Sequence, residues 1–147
     1  MRAIENHVQA FADFAERHFG VPRDDLELHV RTVQGGLCSE VFRVRVRFRD
    51  PEHKPRTASF IAKTLAGRDE REAALYESVL PSSEVPFAPR LLGVDRVAAG
   101  GVRLYLEAIS ACQRWPWSDH ATIEMMMDRL AQVHDNLQPR QYGGVLA

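Results

Sequence analysis

From Val41 to Phe48 the chain alternates with a period of two. Phe42, Val44, Val46 and Phe48 fall on one side of an extended backbone, and Val41, Arg43, Arg45 and Arg47 fall on the other. A helix would scatter these residues around its surface. The pattern therefore predicts a half-buried strand, paired antiparallel to its neighbours. It is preceded by Gln34-Gly35-Gly36-Leu37-Cys38-Ser39-Glu40 and followed by a polar loop, Asp50 to Thr57, containing Pro51 and Pro55. Next comes a short apolar run with one cation, Phe60-Ile61-Ala62-Lys63-Thr64-Leu65. Gly35 and Gly36 permit positive φ and the close approach of a ligand. Their amides, with the Ser39 hydroxyl, suit a polyphosphate; an ordinary hairpin turn is the plain alternative. Lys63 shares a strand face with Ile61 and Leu65, so its stem is expected to be buried and its ammonium to need an anion.

The candidate anion is Glu72, on a helix expected from Gly67 to Leu80 and closed by Pro81. Glu72, Leu75, Tyr76 and Val79 share one stripe of that helix, which turns a carboxylate toward the protein body, while Glu70, Arg71 and Glu77 lie off it. Asp69 and Glu72 also have capping-box spacing, a reading that implies no chemistry. Upstream, Ile4, Val8, Phe11, Ala15 and Phe19 predict an amphipathic helix over residues 3–19, stopped by Gly20 and Pro22. Leu26 to Val33 reads as a first strand. Downstream of the proline-rich stretch Pro81 to Pro89, strands are expected at Arg90–Val94 and Val102–Ile109, joined through Ala98-Ala99-Gly100-Gly101. Composition shifts at Ser110 to Asp119, where Trp115 and Trp117 read as packing anchors or a ligand wall. A last helix is expected from Ala121 to Leu137. Its face of Ile123, Met126, Met127, Leu130, Val133 and Leu137 makes Met125 to Met127 core filler and His134 a packed histidine.

At 147 residues, 45% hydrophobic and 27% charged, the chain can bury a core of ordinary size. A net charge of −1 gives no broad attraction to nucleic acid or membrane, and the arginine strip reads as a solvated strand face. Cys38 and Cys112 form no disulfide framework, the six histidines show no metal spacing, and no signal peptide or membrane span is read; a reducing cytoplasm fits.

Taken in order, Gln34 to Val44, Phe60 to Lys63, Arg71 to Tyr76, Val85-Pro86 with Pro89 to Gly93, Leu104 to Glu107 and Leu130-Ala131-Gln132-Val133-His134 resemble the aminoglycoside phosphotransferase and choline-kinase-like family of the protein-kinase-like fold. The resemblance implies an α+β small lobe. It comprises an antiparallel sheet of about five strands, a glutamate-bearing helix, the N-terminal helix, and a C-terminal helix that begins a large lobe. It divides the chain into a lobe over 1–109, a hinge over 110–120 and the start of a second lobe over 121–147. It implies ATP as cofactor: Gly35, Gly36 and Ser39 over the phosphates, Lys63 on the α- and β-phosphates and held by Glu72, Ile61 over adenine, and the Glu107 carbonyl and Ile109 amide on its edge. Glu40 stands where many relatives carry Asn. The family's His-Gly-Asp catalytic loop and metal-binding Asp match nothing in this sequence, so no catalytic or metal residue is assigned. Mg²⁺ is expected only with a large lobe, and this stretch alone is expected to be inactive. The acceptor would be a small hydroxyl compound of unread identity. The alternative is a non-catalytic interaction module on the same scaffold, which could form a homodimer.

Overall fold

A computed structural model describes residues 2–33, 39–80, 88–97, 100–109 and 119–136. The Gly35-Gly36 turn, both cysteines, residues 81–87, Trp115, Trp117 and the tail lie outside them. The protein is α+β, and its strands make a five-stranded antiparallel sheet in the order β1-β2-β3-β5-β4. The strands are β1 (Glu27–Thr32), β2 (Glu40–Arg49), β3 (Pro55–Leu65), β4 (Leu91–Arg96) and β5 (Val102–Glu107). Helix α1 (Arg2–Phe19) precedes them and α3 (His120–Asn136) follows. Between β3 and β4 the chain winds helically in three ways: a 3₁₀ turn at Gly67–Glu70, α2 (Arg71–Ala74) and a π turn at Leu75–Val79.

Two compact units result. The first comprises Met1–Glu70 with Arg90–Ala108, and the second Arg71–Pro89 with Ile109–Ala147. In the first unit, the apolar side of β2 is buried as its alternation demands: Phe42, Val44 and Val46 pack with Phe60 and Ala62 of β3, Tyr105 of β5, and Phe11, Phe14 and Ala15 of α1. Phe14 lies face to face with Tyr105, centroids 3.7 Å apart, and edge-on to Phe60 at 4.9 Å. The Tyr105 hydroxyl lies 2.9 Å from Asp95 Oδ2 and 3.3 Å from the Ala10 carbonyl, and Arg17 grips the same Asp95 at 2.8 Å. Burial, then the bond to Asp95, pushes the Tyr105 pKa up. The expected α1 stripe is shifted, because Val8 is exposed and Phe14 does the packing instead.

The expected loop from Asp50 to Thr57 is a tight turn, and β3 starts at Pro55. A proline is tolerated at the first residue of a strand, so it does not mark a loop there. Asp50 builds the turn. Its Oδ1 accepts from the amides of Lys54 (2.9 Å) and Glu52 (3.0 Å), and its Oδ2 accepts from Arg56 Nε at 2.8 Å. The Lys54 amide first, then Arg56, hold the carboxyl below its ordinary value. Because folding lowers this pKa, the turn adds stability above the unfolded value of 3.8 and loses it as pH falls through the lower folded value. Asp50→Asn is therefore expected to be less stable than wild type at neutral pH, with the two curves converging in acid. Urea midpoints across the pH range check this.

In the second unit, Ala73 and Tyr76 are buried and Glu72 is half-buried beside them. Burial, then the Glu72 charge, raises the Tyr76 pKa. The start of α3 is capped by Asp119, whose carboxylate accepts from the Thr122 hydroxyl at 2.6 Å and lies 3.4 Å from the Thr122 amide. Met125, Met126, Met127 and Leu130 are exposed, as is His134. The methionines are thus not core filler, and the histidine is not packed. Sequence periodicity finds an apolar face but not what covers it.

Candidate functional site

Strand register places the candidate residues. Val33 donates its amide to the Val41 carbonyl at 2.8 Å, Val41 lies opposite Lys63, Lys63 opposite Leu104, and Leu104 opposite Val94. These residues form one row across the sheet, on the face opposite α1. The next row is Arg31, Arg43, Ile61, Leu106 and Leu91. At its β5 end the Lys63 row is covered, with Leu104 0% exposed; at its β1 end Val33 is 42% exposed. Lys63, half-buried, stands where the covered part gives way to the open part. Val33, Val41 and Ile61 give the open part an apolar floor, and Leu106 borders it.

Val33 and Val41 were not singled out from the sequence. Val41 belongs to the arginine side of the alternating strand, and only the cross-strand register shows that this side also carries Lys63. The pairing of Val41 with Lys63 follows from a tight turn between β2 and β3, and Pro55 concealed that turn.

Ser39 is half-buried at the entrance to β2. Glu40 extends to the α1 face, where its Oε2 lies 3.1 Å from His7 Nε2. It is therefore directed away from the Lys63 face. Arg103 Nη2 donates to His7 Nδ1 at 3.1 Å, so the ring proton sits on Nε2 and is donated to Glu40. No protein-family model, curated protein or solved structure matches this chain. The remaining candidates are spread more widely. Glu107 donates its amide to the Arg90 carbonyl at 2.9 Å, and its carboxylate lies 3.6 Å from Arg90 Nε. Ile109 is exposed and belongs to the second unit, as does Glu72.

The capping alternative for Glu72 changes register. The reach-back bond is made by Glu70, whose Oε1 accepts the Gly67 amide at 3.2 Å. Asp69 is not an N-cap: it lies inside the 3₁₀ turn, its own amide 3.3 Å from the Ala66 carbonyl. Among the described residues no group of three or more His, Cys, Asp or Glu is placed to hold a metal, and no helix is long and apolar enough to cross a membrane.

Proposed function

We propose that this chain is the ATP-binding lobe of a small-molecule phosphotransferase of the kinase-like fold, serving transfer of the γ-phosphate to a hydroxyl acceptor. The observation that carries the reading is the Lys63 face of the sheet: Val33 and Val41 in the row of Lys63, with Ile61 in the next row, make an apolar floor beside a cation on the border of the covered sheet. A purine needs a flat apolar contact, and its phosphates need a cation a few ångströms farther on. The order of elements supports the same reading, with two hairpin-joined strands, a lysine-bearing middle strand, a helical stretch carrying Glu72 and two further strands. In this reading Ile61 and Val41 contact adenine and Lys63 binds the α- and β-phosphates. Gly35, Gly36 and Ser39 close over the phosphates, and Glu107 and Ile109 present backbone groups to the adenine edge. These residues bind and orient ATP; the base and the metal ligands of transfer are not among them.

The test is titration with a fluorescent ATP analogue. Wild type is expected to bind, and Lys63→Met is expected to lose at least about tenfold in affinity, as removal of a charge-assisted phosphate contact should cost. Its far-UV spectrum should not change. Equal binding by both proteins, or none by wild type, overturns the proposal. A second reading, a non-catalytic interaction module, is favoured by the exposed methionines of α3, with Met127 60% exposed. Sedimentation at micromolar concentration tests this second reading, because a strict monomer argues against a module that self-associates through that face.

A further inference from the structure

Beyond the Lys63 row, the same sheet face becomes strongly basic. Arg31 lies directly opposite Arg43, and Arg45 opposite His29. Like charges in directly opposed positions destabilise a sheet. Arg47 lies opposite Glu27, which it meets at 3.7 Å, and Glu27 also binds His29 at 2.9 Å. Among the described residues no carboxylate pairs with Arg31, Arg43 or Arg45. The segments outside the described residues carry one acidic side chain, that of Glu84, and the side chain of Glu5 in the N-terminal helix is also undescribed. The chain therefore holds little with which to neutralise this face.

The four arginines line an open trough of about 690 Å³. Its lining includes Leu28 and Val30, whose side chains belong to the opposite, α1-packed face. It is therefore the main chain of β1 that reaches the trough. β1 is an edge strand. The Val33 amide bonds Val41, so by antiparallel alternation Arg31 and His29 also bond β2, while the amides and carbonyls of Leu28, Val30 and Thr32 point outward. Among the described residues these outward groups have no backbone partner.

We propose that this edge takes up an extended acidic peptide as a sixth strand, its main chain bonded to Leu28, Val30 and Thr32 and its carboxylates laid on the arginine face. Same-face side chains of an added strand repeat about every 6.8 Å, the repeat of His29 and Arg31 beside it, and neighbouring strands lie about 4.8 Å apart. Alternating Asp or Glu would thus meet guanidinium groups in register, as in strand-addition recognition. A second copy of this edge would add its own Arg31, Arg43, Arg45 and Arg47 to the same face and leave the positive charge unneutralised. Among the described residues the trough is lined by no Phe, Tyr or Trp, the large rings on which a nucleic-acid base stacks best. This inference does not rest on the nucleotide reading.

Fluorescence anisotropy with a labelled peptide of alternating Glu and Thr tests it on the whole chain. Binding is expected to weaken with salt. It should fall at least about tenfold in Arg31→Glu and in Arg43→Glu, and by a similar factor when the peptide's alternate amides are N-methylated. The methylated peptide tests the edge with wild-type protein, so the outcome stands even if a variant unfolds. Undiminished binding of the methylated peptide, tighter binding of a single-stranded oligonucleotide of equal charge, or no binding to wild type would each overturn the proposal.

Discussion

Replacing Phe60 with alanine is expected to lower the unfolding free energy by about 3–5 kcal/mol. Phe60 is 0% exposed and sits on the middle strand of the sheet. Its ring is edge-on to Phe14 at 4.9 Å, to Tyr105 at 5.8 Å and to Phe11 at 6.5 Å. Two of those rings come from α1 and one from β5, so the truncation opens a void where the helix meets the sheet. The backbone around it is held on both sides by strand pairing and can collapse only in part. Domains are typically stable by about 5–15 kcal/mol, so the loss is a large fraction of the whole. Urea denaturation should show a lower midpoint at unchanged slope, and Phe60→Leu should cost less, because it keeps most of the volume. A change below about 1 kcal/mol for Phe60→Ala would mean that α1 does not pack on this face.

Gly101→Ala should be the second severe change, at about 2–3 kcal/mol. Gly101 has φ of 105°, which no L side chain adopts comfortably, and a Cβ there would lie 2.5 Å from the Leu65 carbonyl oxygen. That oxygen belongs to the backbone of β3, so relief requires moving one strand against another where Val102 faces Leu65. Gly100 supplies the control. Its φ is 89°, but an added Cβ meets nothing within 4 Å, so Gly100→Ala should cost only the conformational strain, about 1–2 kcal/mol. Thermal unfolding of the two variants side by side checks the order; Gly100 proving the more sensitive would contradict the contact between the β4–β5 turn and β3.

The sheet could be read from the chain because its strands are written in a period of two. The β2 alternation gave both its buried side and its basic side, and the buried side is the one that α1 covers. Reading failed where a residue type has two meanings. Pro55 breaks a helix or a central strand, yet it opens β3; with that turn missed, the cross-strand partners of Lys63 could not be named. The Asp69–Glu72 spacing assumed a uniform α-helix, whereas the winding passes from 3₁₀ to α to π within thirteen residues, Gly67 to Val79. A helical wheel with a fixed step misplaces caps in such a segment, and Glu70 rather than Glu72 makes the reach-back bond. The candidate residues of the Lys63 face were partly legible: Lys63 and Ile61 by strand parity, but Val33 and Val41 only through register.

The tie between α1 and Tyr105 has a consequence for synthesis. The helix leaves the ribosome before the sheet, and the Tyr105 hydroxyl that reaches the Ala10 carbonyl is 95 residues farther along, while the Asp95 that Arg17 grips is 78 residues farther. At about 5–20 residues per second the nascent helix waits roughly 4–19 s for these partners. Through that interval Phe11 and Phe14 have no finished sheet to cover them. A chaperone that recognises short apolar helices would find its clearest target in the first twenty residues of this chain.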